Sequence, residues 1–462
     1  MVVPQMLLRG RILQIFTFCG GCFSILQCGF NMGWPSYVLP HFLSNSSTIP
    51  MTNDEGSWIA SMHLIGGICG AVIIALTLDI FGRKTMLLIA LVLMGGTWLI
   101  IAFARTILEL FVARFVLGIC DGVSFSCVPL YLAEVSNPKI RGMLINGTQV
   151  LYFFGVFLPN LLVAFLSIYV IALISSAFAL VGVLFYLFVP ESPHFYLIKG
   201  DVTRARDSIE RFSKGSGKDV DSLLNSIKNS LKERSKGKWK EIFTDSSNRK
   251  SFFLLLLARM FQTFCGYMGI MFYAQNLFKE VDADINPIVF VNIFYLLQIA
   301  AIIVNAVVVD RIGRRPLMIV SISVVTFSLS LVSVYFTLRN VTDVNVSDYS
   351  WCPILGLFIY ITGYTLGLQS VVFLLCNEIF PLHVKTVAVS ILAICYSVLG
   401  TVVSKFFQFS KDEFGVHVPF IVFTLVSMCG VPFSVYFIPE TKRKTLEEIQ
   451  DTLRSKQQSN VE

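Results

Sequence analysis

A chain of 462 residues that is 55% hydrophobic and only 14% charged, with a mean hydropathy of +0.73, carries more apolar surface than soluble domains of that length bury. Soluble proteins use about 25% charged residues, so a soluble globular protein is excluded and a hydrocarbon-solvated one is left. The net charge of +7 reads as a topology signal, not as a nucleic-acid-binding surface.

Apolar runs recur from end to end, each long enough to cross ~30 Å of hydrocarbon as a helix. A barrel would show short alternating strands instead, so the chain is expected to be all-α. The runs predict about twelve transmembrane helices, beginning near Ile12, Ser57, Met86, Ile107, Met143, Ile168, Ser251, Pro287, Leu317, Cys352, Lys385 and His417. The first run follows Arg9 and Arg11, but it extends past a signal-peptide core and shows no small-x-small cleavage site, so it reads as a retained helix. Six spans fill residues 1–189. A polar, basic linker follows at 190–250, then six more spans at 251–440 and a tail at 441–462. Within the linker, residues 202–212 and 220–231 have helical spacing, with a turn at Gly215-Ser216-Gly217 between them.

Lys and Arg crowd one set of loops. With the N-terminus in the cytosol, that set is cytosolic: it holds Arg83, Lys84, Lys139, Arg141, Arg311, Arg314, Arg315, Lys385 and Lys442–Lys444, and about fourteen more in the linker, against about four on the opposite side. Both termini are then cytosolic. The sequons at Asn45, Asn340 and Asn345 fall in opposite-side loops, where glycosylation is possible, whereas Asn146 starts a span. The eleven cysteines lie almost wholly within apolar runs, Cys19 and Cys22 stack on one helical face, and no Cys/His group has zinc spacing. No metal or cofactor is expected.

The halves echo one another. Asp79-Ile80-Phe81-Gly82-Arg83-Lys84 follows the second span and Asp310-Arg311-Ile312-Gly313-Arg314-Arg315 the eighth. Glu134 to Arg141 follows the fourth, and Glu378 to Lys385 the tenth. The same charged signature at the same place means an internal duplication, the plan of carriers whose two halves rock about a central site.

With Pro129-Leu130-Tyr131-Leu132-Ala133-Glu134 running into Asn137-Pro138-Lys139-Ile140-Arg141-Gly142, with Pro190-Glu191-Ser192-Pro193 after span six and with Pro439-Glu440-Thr441 after span twelve, the chain resembles the sugar porter family of the major facilitator superfamily over nearly its whole length. Gly29–Pro35 and Glu55-Gly56-Ser57-Trp58 are similar to its insect branch of facilitated trehalose and hexose transporters. The resemblance implies two pseudo-symmetric six-helix bundles and a sugar held at mid-depth between them. It assigns substrate contact to Gln149, Gln262 and Gln298, flanked by Tyr273 and Phe373. Such amides both donate to and accept from hydroxyls; the competing use is interhelical hydrogen bonding. It also implies a cytosolic latch made by Asp79, Arg83, Glu134, Arg141, Asp310, Arg314, Glu378 and Lys385, where plain positive-inside charge is the competing reading.

Departures from the family are equally specific. Thr263 and Met268 stand where the span-seven run has Gln and Asn. Gln369-Ser370-Val371-Val372-Phe373 replaces the span-ten Pro-rich run, and Tyr396 stands where many members have Asn. Proton-coupled members resemble one another in an Asp after a Gly-aromatic pair in span one. Here Asn31 follows Gly29-Phe30, and an amide cannot titrate. Arg114 then has Asp121, seven residues on, as its candidate partner, either as a structural pair or as a proton site. Arg259 is read as snorkelling from the cytosolic end of span seven. The expected function is facilitative sugar transport across the plasma membrane by a monomer in contact with lipid and its sugar alone, with no catalytic residues and no nucleic-acid partner. The rivals are proton-coupled sugar or polyol symport through Asp121, and a non-transporting sugar sensor.

Overall fold

The computed structural model describes residues 10–44, 47, 49–212, 217–234, 241–281, 286–342, 346–442 and 448, and the regular structure among them is helical, without a strand. The helices are α1 (Arg11–Phe42), α2 (Asn53–Phe81), α3 (Arg83–Phe103), α4 (Ile107–Val135), α5 (Pro138–Leu162), α6 (Ile168–Phe188), α7 (Pro193–Ile198), α8 (Val202–Phe212), α9 (Gly217–Arg234), α10 (Glu241–Thr244), α11 (Ser246–Phe264), α12 (Tyr267–Phe272), α13 (Ala274–Glu280), α14 (Pro287–Ile312), α15 (Arg314–Val341), α16 (Trp351–Gly363), α17 (Ser370–Glu378), α18 (Leu382–Phe414) and α19 (His417–Tyr436). Among the described residues, twelve spans are long and apolar enough to cross a membrane. Span seven joins α11 to α12, and span ten joins α16 to α17.

Helix starts are fixed by short polar side chains. Thr106 Oγ1 accepts the Glu109 N–H at 3.3 Å while Glu109 accepts the Thr106 N–H at 3.3 Å, a reciprocal cap that opens α4. Asn286 caps α14 ahead of Pro287, whose missing N–H costs nothing at that position. The outward faces are apolar: Leu76, Leu108 and Phe165 are among the most exposed side chains. A hydrocarbon solvent makes that arrangement stable, and helices are the elements that close their own backbone bonds in it.

The chain divides into two compact units. The first comprises Met1–Trp34, Ser47–Ile49 and Met62–Lys236; the second comprises Pro35–Ser46, Pro50–Ser61 and Gly237–Glu462. In the first unit α3 packs on α4 and α6. In the second α15 packs on α16 and α19, the same neighbours one duplication later. The expected linker helices are α8 and α9, where Ile209, Val220, Leu224 and Ile227 form a small apolar cluster with Leu197 of α7.

Three local breaks shape the interior. Pro35 lies inside α1, so the Asn31 carbonyl four residues earlier loses its helical donor. Gly266, at φ +88°, ends α11 in the left-handed conformation that glycine adopts freely. Between α16 and α17, residues Tyr364–Gln369 form a π-helical turn. Ser321 of α15 patches it by donating to the Gly363 carbonyl at 2.7 Å and accepting the Leu368 N–H at 2.7 Å. Widened turns of this kind concentrate at functional sites.

Candidate functional site

The breaks in span seven and span ten face each other. Ending α11 at Gly266 leaves C-terminal carbonyls without helical partners. Tyr364 Oη donates to the Gln262 carbonyl at 3.2 Å and Tyr360 Oη to the Cys265 carbonyl at 3.0 Å, so span ten supplies what the helix lacks. The Tyr364 ring stacks on Tyr267 with centroids 4.6 Å apart. Tyr267 Oη in turn accepts from Gln298 Nε2 of α14 at 3.0 Å. Gln262 and Gln298 are both buried, and both belong to this second-unit cluster. Gln262 Nε2 points to the Gln369 carbonyl at 3.5 Å. The side-chain oxygens of Gln298 and Gln369 are buried with no hydrogen-bond partner, two vacant acceptors at one place.

Arg259 joins the same cluster. Its Nη1 donates to Gln262 Oε1 at 2.8 Å, and its guanidinium carbon lies 5.1 Å from the centre of the Tyr396 ring. The guanidinium is thus turned toward Gln262, the next residue along that face, and is stacked on an aromatic ring. The snorkelling expected from sequence places it elsewhere. The i, i+3 spacing of Arg259 and Gln262 was a signal in the sequence, but the ring that receives the guanidinium comes from α18 and left no local trace.

Tyr273, between α12 and α13, is buried and stacks on Phe407 at 5.4 Å. Phe373 of α17 is exposed and makes no ring contact with the tyrosines of the cluster. Gln149 lies half-buried on α5 in the first unit and makes no hydrogen bond with a described residue.

The charged residues form two matching clusters. In the first unit Arg83, fully buried, meets Asp79 at 3.2 Å and Glu134 at 3.1 Å. In the second Arg314 meets Asp310 at 3.1 Å and Glu378 at 2.8 Å. A carboxylate that the sequence motifs contain but to which no role was assigned completes each. Glu191 accepts the N–H of Arg83 at 3.0 Å and that of Lys84 at 3.0 Å. Glu440 accepts those of Arg314 at 3.0 Å and Arg315 at 3.1 Å. Each caps a helix whose start is set by a positive-φ glycine, Gly82 (φ +90°) or Gly313 (φ +105°), and a Cβ at either would collide with the capping carboxylate. Ser192 and Thr441, next in sequence, donate to Glu134 and Glu378. Burial pushes Glu191 above the usual carboxylate range, against the lowering by its backbone donors and Arg83. Burial acts the same way on half-exposed Glu440, but there the N–H donors of Lys442, Arg314, Arg315 and Thr441 win and hold it below that range. Arg141 and Lys385 join neither set of ion pairs.

In the first unit Asn31 stands between Arg114 and Asp121. Arg114 Nη1 donates to the Asn31 carbonyl, the one Pro35 leaves free, at 2.7 Å. Asn31 Nδ2 donates to Asp121 Oδ2 at 2.5 Å. Arg114 also lies over the Trp34 ring at 4.9 Å, and its Nη2 faces His63 Nδ1 at 2.9 Å. An arginine only donates, so that histidine nitrogen is the acceptor. Of the three sequons, Asn340 is exposed at the end of α15; Asn45 and Asn345 lie outside the described residues. No group of three or more His, Cys, Asp or Glu placed to hold a metal ion occurs among the described residues.

The fold is that of solved sugar carriers. The inward-open xylose transporter XylE from E. coli superposes with a TM-score of 0.75 at 20% identity, over 95% of this chain and 98% of that one. XylE with bound 6-bromo-6-deoxy-D-glucose superposes with 0.73 at 20% identity, over 96% and 98%. This is therefore a polytopic membrane protein of the major facilitator fold. The family model for sugar (and other) transporters matches residues 16–453. The chain belongs to that family and is a sugar transporter, not an enzyme. It is 25% identical over 447 residues to the facilitated trehalose transporter Tret1 of Bombyx mori, covering 96% of this chain and 88% of that protein. It is 26% identical over 445 residues to Tret1 of Apis mellifera ligustica, covering 95% and 88%.

Proposed function

We propose that the protein is a facilitative carrier that moves a sugar down its gradient across the plasma membrane by alternating access, with both termini in the cytosol. The observation that carries this is the amide–tyrosine cluster of Gln262, Gln298, Gln369, Tyr267 and Tyr364, whose vacant amide oxygens suit the hydroxyl donors of a sugar. Gln149 of the first unit, half-buried on α5, is a separate candidate for substrate contact. The printed activity of the insect relatives, facilitated trehalose transport, supports trehalose and hexoses as the first solutes to try. Asn31 at the place of a titrating acid supports uniport.

One observation favours a second reading. Asp121 Oδ1 is buried with no hydrogen-bond partner, and a carboxylate held so inside a span is a candidate proton site. Uptake of labelled trehalose, glucose, fructose and polyols into proteoliposomes, with and without an imposed proton gradient, separates the two. Uniport gives gradient-independent uptake that Gln262→Ala diminishes. Gradient-driven accumulation that Asp121→Asn abolishes establishes symport instead. If no polyhydroxylated solute moves, both readings fail.

A further inference from the structure

Arg259 is a permanent cation inside a span, and its partners are all neutral. Nη1 donates to the Gln262 amide oxygen at 2.8 Å and Nη2 to the Cys376 sulfur, a weak acceptor, at 3.8 Å. The face rests on Tyr396. Its Nε is buried with no hydrogen-bond partner, and no described carboxylate pairs with it. The contrast within the same unit is direct: Arg314 holds two carboxylates. A guanidinium is a planar fork shaped for a carboxylate, and this one is half-buried with no counter-ion among the described residues, so the fork is open to an incoming carboxylate.

We infer that the substrate of this carrier is a sugar acid, whose carboxylate pairs with Arg259 while its hydroxyls donate to the vacant side-chain oxygens of Gln298 and Gln369. The inference rests on the sugar-carrier reading above and narrows it from neutral hexoses and disaccharides to monoanionic sugars such as uronates and aldonates. A neutral sugar fills the amide positions and leaves the guanidinium unanswered. A sugar phosphate brings up to two negative charges to one cation, so the single guanidinium favours the carboxylate. Gln262 then acts as a positioning residue: its Oε1 holds Nη1 in the resting carrier.

The test uses the purified full chain in proteoliposomes and compares initial uptake of labelled glucuronate, gluconate, glucose, trehalose and glucose 6-phosphate. Glucuronate or gluconate is expected to enter at least tenfold faster than glucose. Arg259→Met is expected to cut the acid-to-glucose ratio at least tenfold, and Arg259→Lys by less. The ratio is taken within one preparation, so a poor yield of folded variant cancels. On the wild type, glucuronate is also expected to raise the unfolding temperature more than glucose does, a readout that needs no variant. If neutral sugars enter as fast as the acids, or the ratio is the same in Arg259→Met, the sugar-acid assignment falls while the sugar carrier stands. Preference for glucose 6-phosphate overturns the carboxylate. If none of the five solutes moves, the sugar-carrier reading and this one fall together.

Discussion

Glu440 accepts the main-chain N–H of Arg314 at 3.0 Å across 126 residues of sequence, and so ties the end of span twelve to the start of span nine. Glu191 repeats the tie to Arg83 in the first unit. A carboxylate on the unsatisfied N–H groups of a helix start gains from both the hydrogen bonds and the helix dipole. Hydrogen bonds to a charged group contribute about 1.5–3 kcal/mol, so Glu440→Ala is expected to destabilise the protein by roughly 2–3 kcal/mol. Thermal unfolding in detergent measures this, and an unchanged unfolding temperature would show that the cap adds nothing.

The same pair predicts opposite responses to pH. Glu440 is held below the usual carboxylate range by its backbone donors against the effect of burial. Its contribution is present above the unfolded value of about 4.3 and is lost as pH falls through its lower folded value. Glu191 is pushed above that range by burial. Its contribution is full below the unfolded value and declines as pH rises through the folded one. Glu191→Gln, which imitates the protonated form, should therefore be better tolerated at pH 7 than Glu440→Gln, and it should remove the decline in stability that sets in as pH rises above about 4.3. The reverse ranking at pH 7 contradicts the assignment.

Arg83 and Arg314 occupy equivalent positions but differ in burial. The Arg83 side chain is 0% exposed and its partner Glu134 is 6% exposed, while Arg314 and Glu378 are 12% and 27% exposed. Removing one member of a buried pair strands the other at a cost of about 3–5 kcal/mol; water reaches the second cluster and screens it. Arg83→Ala is expected to abolish the folded fraction recovered in detergent, and Arg314→Ala to leave a measurable one. Size-exclusion chromatography of tagged protein in detergent checks the order, and equal losses would remove burial as the cause.

The long apolar runs made the helix count and the duplication legible, because lipid permits one hydrophobic pattern and the charged turns recur at the same helix ends. Three things were not legible. The run through span seven shows no interruption strong enough to announce that Gly266 breaks it. The π-helical turn at Tyr364–Gln369 depends on Ser321 from another helix. The direction of the Arg259 side chain is set by Tyr396, which is remote in sequence. In each case spacing reported which face a residue occupies, and a contact from a distant segment decided what the residue does there. Asn31 shows the same limit: its failure to titrate was readable, whereas its bridging of Arg114 to Asp121 needed the carbonyl freed by Pro35.

Gln149 and Gln262 should separate in their kinetics. Gln149 hydrogen-bonds to no described residue, so its removal breaks no hydrogen bond among them. Gln149→Ala is expected to leave stability within ~0.5 kcal/mol and to raise KM up to about tenfold, the effect of one neutral hydrogen bond. Gln262 holds Arg259, so Gln262→Ala should lower stability by roughly 1–2 kcal/mol as well as uptake. Transport unchanged in Gln149→Ala would remove that residue from the substrate site.

Lys405 of α18 fixes the first turns of α2. Its Nζ donates to Asp54 Oδ1 at 2.5 Å and Ser57 Oγ at 2.7 Å and sits 4.3 Å over the Trp58 ring. Beneath it, Ser61 Oγ donates to Ser404 Oγ at 3.2 Å, fully buried. Residues Pro50–Ser61 belong to the second unit and Met62 onward to the first, so α2 changes unit within one helix. All of these bonds lie within the second unit, so they hold the start of α2 to α18 there. Asp54 is largely exposed, which limits the attachment to about 1 kcal/mol and a factor of roughly five in population. Lys405→Met is therefore expected to speed labelling of a Ser61→Cys variant by a membrane-impermeant maleimide about fivefold, above the background of the parent's own cysteines. Equal labelling rates with and without Lys405 would show that the start of α2 is held by packing alone.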